Sequence, residues 1–331
     1  MGARDDHTSA VALLLISLLI FSYSSPIIAA SSNTKSTTLW SGTVILPDGH
    51  TVGSQDVLVV EEGTTIRLGA DEHITVAGRI IIQGTTTNPV TIESITGKHD
   101  GIVFNQSSQG LGSNIENLTI LQAEFGITIY GSDPQLNDIN IENVDRVGVD
   151  LFDGATPTIN NLVINGGGAD VHGFSTTWRY GIGLSIGANS APIVNGFSAN
   201  GLITRAINYW GNSGGLLSDL EISNISGATL AVSTGIWVED SRPLFSGVDI
   251  QRCDNGIFVR HITEGWITRP TFHQVVIEDS KYRGVMVEQY NHSQFNNLPA
   301  HAIFNDIEIR GTGGPNAETQ GLGFSAFEVN T

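Results

Sequence analysis

Glu239, Arg260 and Glu288, with His261 beside the arginine, are the residues of this 331-residue chain best suited to proton transfer. Two carboxylates with a bound sugar between them are what glycoside hydrolysis requires. Arg260 or His261 would then be the proton-transfer partner and Glu239 or Glu288 the acid. Arg260 would also lower the pKa of a neighbouring carboxylate and make it a poorer general acid. The three charges have a structural reading too: stacked on adjacent strands, acid, base and acid suppress repulsion and help fix register. Five aromatic residues, Tyr130, Phe152, Trp210, Trp237 and Phe258, fall at related positions. Rings beside amides and carboxylates suit sugars, whose C–H faces stack while the hydroxyls take polar partners. The alternative is stacking that stiffens a sheet, or rings covered by long loops.

A repeated phrase must position these side chains. Proline is followed by alternating apolar residues, an Asn or Asp, more alternation, and then Gly-Ile or Gly-Val. Pro134 opens PQLNDINIENVDRVGVDLF, Pro243 opens PLFSGVDIQRCDNGIFV and Pro270 opens PTFHQVVIEDSKYRGVMV. Pro157 opens PTINNLVINGGG, which resumes at Gly181 as GIGLSIG. The anchors read as Gly126, Gly148, Gly181, Ala206, Gly235, Gly256, Gly284 and Gly321, at spacings of 22, 33, 25, 29, 21, 28 and 37. A floor near 21–22 with longer values above it is a basal coil with loop insertions. Alternation at period two, as in Leu136, Ile139 and Ile141, means strand. Strands this short cannot build a core alone, so each coil needs a neighbour above and below. The fold class expected is all-β, a solenoid of stacked coils.

Equivalent positions in such a solenoid form columns. With Ile127, Val149, Ile182, Ile207, Ile236, Ile257 and Val285 facing inward, one outward column reads Thr128, Asp150, Gly183, Asn208, Trp237, Phe258 and Met286. The next reads Tyr130, Phe152, Ser185, Trp210, Glu239, Arg260 and Glu288. Insertions at 166–180, 260–269, 288–301 and 310–320 would wall a groove along this face. They hold Trp178, Arg179, Trp266, His292 and His301. Asp170 with His172 makes two candidate ligands, too few for a metal site.

Composition narrows the partners. With 15 basic against 33 acidic residues the net charge is −18, which disfavours nucleic acid and anionic membranes. Calcium is a second reading of the acidity beside a soluble surface, but no Asp-x-Asp-x-Asp loop supports it, and no cofactor or metal is expected. The single cysteine, Cys253, rules out an internal disulfide framework. It takes the inward slot of Ala123, Val144 and Ser280.

Residues 1–30 read as a secretory signal peptide, with AVALLLISLLIF as the apolar run and cleavage before Ser31. An uncleaved membrane anchor is the alternative. Export makes the sequons at Asn105, Asn117, Asn224 and Asn291 relevant. Residues 31–39 form a polar linker, 40–100 a cap with the first compact coils, and 101–331 the regular coils. The chain ends within a strand-like phrase, so a truncated chain, further C-terminal domains or a capping partner are expected.

The repeated phrase Asn-x-x-Ile-x-Ile…Gly-Ile-x-Val resembles the right-handed parallel β-helix of the pectin-lyase-like superfamily, and does so across about residues 42–331. EEGTTIRLGADEHITVAGRIIIQGTTTNPVTIES and GIVFNQSSQGLGSNIENLTILQAEFGITI resemble segments of secreted and cell-surface members. The resemblance implies fold more than function, because that superfamily holds lyases, hydrolases, adhesins and surface-layer proteins. The polygalacturonase-like branch implies an Asp-Asp pair, here found only at Asp5-Asp6, a His-Gly, here His172-Gly173 without its partners, and an Arg-Ile-Lys that is missing. The pectate-lyase branch implies clustered calcium carboxylates, and no compact motif of that kind is seen. The expectation is therefore an exported cell-surface or extracellular module that binds polysaccharide or a cell-envelope glycan, or serves adhesion. A polysaccharide lyase or glycoside hydrolase on the Gly-Ile face is the alternative, and a structural spacer the third reading.

Overall fold

The computed structural model describes residues 35–168, 180–227, 233–263, 265–289, 300–313 and 322–327. The expected leader, the Asp170–His172 pair, Trp178, Arg179, Asn291, His292 and the last four residues lie outside them. Within the described residues the chain is a right-handed parallel β-helix. Parallel strands stack into a 14-stranded and an 11-stranded sheet, and one 3-10 turn, Gln106–Ser108, breaks the β pattern. Thr37–Trp40 already pairs in parallel with Val57–Val60, so the compact early segment and the regular coils share the same sheets.

The larger sheet is creased lengthwise. Asn114–Leu121 pairs through its first residues with Arg79–Gln83 and through its last with Val90–Ser94. One residue sits at the crease of each later coil: Asn117, Asp138, Asn161, Gly196, Asp219, Gly247, Gln274 and Asp306, all with φ between 47° and 76°. That left-handed backbone disfavours most L-residues, and Asn, Asp and Gly tolerate it best. The Asn or Asp of the repeated phrase is this crease at Asn117, Asp138, Asn161, Asp219 and Asp306, and Gly or Gln fills the same place in the other coils. The prolines form a corner column: the N–H groups of Thr158, Ile193, Leu216, Thr271 and Ile303 bond the carbonyls of Pro134, Pro157, Pro192, Pro243 and Pro270.

Beside the crease the side-chain amides also stack. Asn137 donates to Asn114 at 3.2 Å, Asn160 to Asn137 at 2.8 Å and Asn195 to Asn160 at 3.0 Å. The crease sequon Asn117 bonds the carbonyl of Gly84, and Asn224 donates to Asn200 while accepting from Arg252. Both amides are parts of the ladder framework.

The core is one column of aliphatic side chains along the axis. On the 11-stranded sheet Ile127, Val149, Leu184, Ile207, Ile236, Ile257 and Val285 point inward with no exposed surface. Each such burial contributes roughly 1.5–3 kcal/mol. Phe245, Phe272 and Phe304 stack with centroids 4.6 and 4.9 Å apart. Cys253 is buried as expected, and burial pushes its thiol up to about 12.

Two anchors differ from the sequence reading. Val147 pairs with Ile182 and Val149 with Leu184, so Gly183, not Gly181, stands opposite Gly148. Arg283 pairs with Leu322, which makes Gly323 the partner of Gly284 in place of Gly321. Crowding explains why glycine is needed there: a Cβ on Gly148 would lie 2.7 Å from the Gly183 carbonyl oxygen, and one on Gly183 2.6 Å from that of Ala206. The GIGLSIG phrase offers glycines at two-residue intervals, so the pattern alone admits either register.

Candidate functional site

The outer face of the 11-stranded sheet carries both candidate columns, while His261, the last residue of its strand, is buried beside them. The corrected register shifts one coil by two residues and so changes one member of each column: Thr128, Asp150, Ser185, Asn208, Trp237, Phe258 and Met286 share one column. In the next, Tyr130 pairs with Phe152, Glu239 with Arg260, and Arg260 with Glu288. Ser185 thus leaves the second column, and Gly187 takes its place between Phe152 and Trp210.

The two columns differ in access. The first is buried throughout. Its Trp237, Phe258 and Met286 form an apolar cluster separate from the main core, with the Trp237 and Phe258 rings stacked 4.1 Å apart. Sequence reasoning put Trp237 and Phe258 on a solvated row; they are 4% and 6% exposed. The Arg205 guanidinium lies 3.9 Å over the Trp237 ring and donates to Asn208. Burial draws its pKa down to about 9, against the pull of Glu239. Arg205 escaped the sequence reading because it precedes Ala206, the one anchor without glycine.

The second column is accessible. Tyr130 is exposed, and Phe152, Trp210, Glu239, Arg260 and Glu288 are half-buried. Tyr130 and Phe152 stack at 5.2 Å, and Phe152 meets Trp210 edge-on at 6.0 Å. Gly187 makes that contact possible: a Cβ there would sit 2.0 Å from the Trp210 ring, which folds across the empty place. The Trp210 indole N–H reaches the Ser185 hydroxyl at 3.4 Å.

Glu239 follows Trp210 in the column. Burial raises its carboxyl above the ordinary range, and this outweighs the lowering by Arg260, by Arg205 and by the hydrogen bond from Trp237. The sequence reading foresaw the arginine and missed the burial. A half-buried carboxyl shifted upward holds its proton to higher pH than an exposed one, which suits it to the role of proton donor. Glu288 stands two strands from Glu239, roughly 10 Å at the backbone.

His261 is turned into the corner after its strand. Its Nδ1 lies 3.0 Å from the Thr268 hydroxyl and 3.2 Å from Asp240 Oδ1. Buried Asp240 also accepts the backbone N–H groups of Ile262 and Thr263 at 2.9 and 3.2 Å. Neither Asp240 nor Thr268 carries a sequence signal beyond its place at a coil corner. His301, on the following coil, donates its backbone N–H to the carbonyl of Thr268.

Among the described residues no three His, Cys, Asp or Glu side chains come together as a metal site. No helix of the described residues is long and apolar enough to cross a membrane.

The parallel β-helix fold is shared with solved structures of carbohydrate-active enzymes. An alginate lyase from Paenibacillus sp. str. FPU-7 superposes with a TM-score of 0.56 at 16% identity, covering 89% of this chain and 99% of that one. The catalytic domain of a GH87 alpha-1,3-glucanase, solved with tetrasaccharides, gives 0.44 at 13% identity, over 89% of this chain and 64% of its own. No family model and no curated protein matches the sequence.

Proposed function

We propose that this protein is an exported enzyme that cleaves a polysaccharide lying along the accessible column, with Glu239 as the proton donor to the glycosidic oxygen. The observation that carries the reading is continuity. The rings of Tyr130, Phe152 and Trp210, with Trp210 folded across Gly187, lead directly into Glu239, Arg260 and Glu288 on the next three coils. Rings hold sugar faces, and the raised carboxyl of Glu239 supplies the acid where the rings end. Glu288, two strands away, would act on the opposite side of the bond. The separation of about 6.5–9.5 Å that leaves room for water in an inverting glycosidase is within reach of side chains on such strands. Arg260, between them, would bind an acidic or hydroxyl group of the sugar. An alginate lyase on a similar scaffold is in keeping with a glycan as the partner. A secreted or cell-surface location belongs to this proposal.

The test is to incubate the secreted protein with acidic and neutral polysaccharides, with and without calcium. New reducing ends without absorbance identify a hydrolase, and unsaturated-product absorbance identifies a lyase. Either must vanish in Glu239→Gln. Retarded migration in glycan gels without cleavage would overturn the enzyme reading in favour of a binding or adhesion module. No interaction with any glycan would leave a structural spacer.

A further inference from the structure

We propose that Trp266, with Ile267 beside it, is a further sugar-stacking subsite flanking the column at the level of Arg260, held there by a clamp centred on Asp240. The inference rests on the glycan reading above and adds to it a ligand-contacting residue outside the column.

Trp266 and Ile267 are 39% and 53% exposed, on the turn that leaves the strand Asn255–His261. Side by side they make a small exposed apolar surface of the kind that the C–H face of a sugar can cover. This turn is also fixed at both ends to one atom. Asp240 Oδ1 accepts from the N–H of Ile262 at 2.9 Å, from that of Thr263 at 3.2 Å and from the Thr268 hydroxyl at 3.5 Å. His261 Nδ1 lies 3.2 Å from the same oxygen. The Thr268 hydroxyl also lies 3.3 Å from the Arg260 carbonyl oxygen, and Trp266 N–H bonds the Thr263 carbonyl at 3.3 Å. Asp240 and Thr268 are 1% and 2% exposed and His261 6%, so water does not compete for these bonds.

Two consequences follow. Trp266 is two residues from Thr268, so its backbone lies within roughly 7 Å of the clamp even if the chain were fully extended. The clamp residue Asp240 directly follows Glu239, and its partner His261 directly follows Arg260. The turn is therefore registered to the same two coils that hold the proposed proton donor and its arginine. Held by these bonds at Ile262, Thr263 and Thr268, the backbone beside Trp266 has less freedom to lose when a ligand binds. On the column itself the rings lie to one side of Glu239, at Tyr130, Phe152 and Trp210. Trp266 supplies a ring at the Arg260 level, where the described column is charged. A chain cleaved beside Glu239 would then be stacked on both sides of the bond.

The test uses the secreted full chain and affinity electrophoresis on the polysaccharide that retards the wild type most. Trp266→Ala is expected to weaken retardation about three- to tenfold, the range of an aromatic contact. Asp240→Asn is expected to give part of that loss. The double variant is expected to be no weaker than Trp266→Ala alone, because the clamp acts through the tryptophan. Ile45→Ser, at a more exposed apolar residue on the first coil, serves as control and should change nothing. If the wild type is retarded and Trp266→Ala is retarded equally, the subsite is refuted while the glycan reading stands. If the losses in the double variant simply add, Asp240 does not act through Trp266. If no polysaccharide retards the wild type, the glycan reading fails and this subsite falls with it. Circular dichroism of Asp240→Asn identifies a fold defect, and Trp266→Ala, at an exposed site, keeps the test decisive in that event.

Discussion

Glu239 and Arg260 are in-register neighbours on adjacent strands, and the arginine draws the carboxyl's pKa down while burial pushes it up further. The balance decides the chemistry. An exposed carboxylate beside a guanidinium would be a fixed negative charge, whereas Glu239 is shifted toward the protonated form that donates. If it is the general acid, activity requires that proton and falls as pH rises through its pKa. Removing Arg260 removes a lowering influence, so in Arg260→Gln the alkaline limb of kcat/KM should move to higher pH. Glu239→Gln should cost about 10²–10⁴-fold in kcat, the usual worth of a positioned acid. A pH–rate profile of the two variants checks both, and a limb that stays put in Arg260→Gln would separate it from Glu239.

Gly187 and Trp210 make a second linked pair. Gly187→Ala puts a methyl 2.0 Å from the indole, and the ring, being a side chain, must swing away. The contact between Phe152 and Trp210 would then be lost. The expected cost is about 1 kcal/mol of stability from overpacking, together with weaker retardation in glycan gels. Unchanged tryptophan emission in Gly187→Ala would show that the ring had not moved.

The scaffold was legible because a solenoid repeats its constraints. The Asn or Asp between two apolar runs marks a crease that needs left-handed backbone, and the sequence shows it coil after coil. Register was less legible where the local pattern repeats at two residues. GIGLSIG aligns equally well at Gly181 and Gly183, and carbonyl crowding against the next coil selects the second. Burial on the outer face was not legible at all. Trp237 and Trp210 occupy similar phrases, yet one is buried under Arg205 and the other lies half-open over a glycine. Their offsets from the anchor, two residues for Trp237 and four for Trp210, assign them to different columns, but the spacing does not show that the first column is covered. The clamp was hidden for a related reason, since Asp240, His261 and Thr268 meet only when successive coils stack.

The crease offers a direct test of the backbone argument. Asn161 has φ 57° and donates its amide to Asp138 at 2.9 Å. Asn161→Val forces a β-branched residue into left-handed backbone, at about 1–2 kcal/mol, and removes a hydrogen bond worth about 1 kcal/mol. Asn161→Gly loses the bond and keeps the backbone. Urea midpoints should therefore fall more for valine than for glycine, and equal losses would assign the whole effect to the hydrogen bond.

His99 and Asp100 pull stability in opposite directions as pH falls. His99 is buried, with Nε2 3.1 Å from the Leu121 carbonyl and Nδ1 accepting the Gly101 N–H at 3.0 Å. Burial lowers its pKa from 6.5 to about 4. Between those values the unfolded chain binds a proton that the folded chain does not, so stability falls on acidification, by about 3 kcal/mol across the window. Asp100 is raised from 3.8 to about 6 by burial and by Glu124, Asp71 and Glu72, against Arg146. There the folded chain takes the proton first, so acidification adds stability over much of the same range. Asp100 is half-exposed, and solvent screening reduces its share. The wild type should therefore lose less stability between pH 6.5 and 4 than Asp100→Asn, in which the histidine acts unopposed. Urea unfolding of both proteins at several pH values in that window measures the difference. If the two curves run parallel, Asp100 does not offset His99.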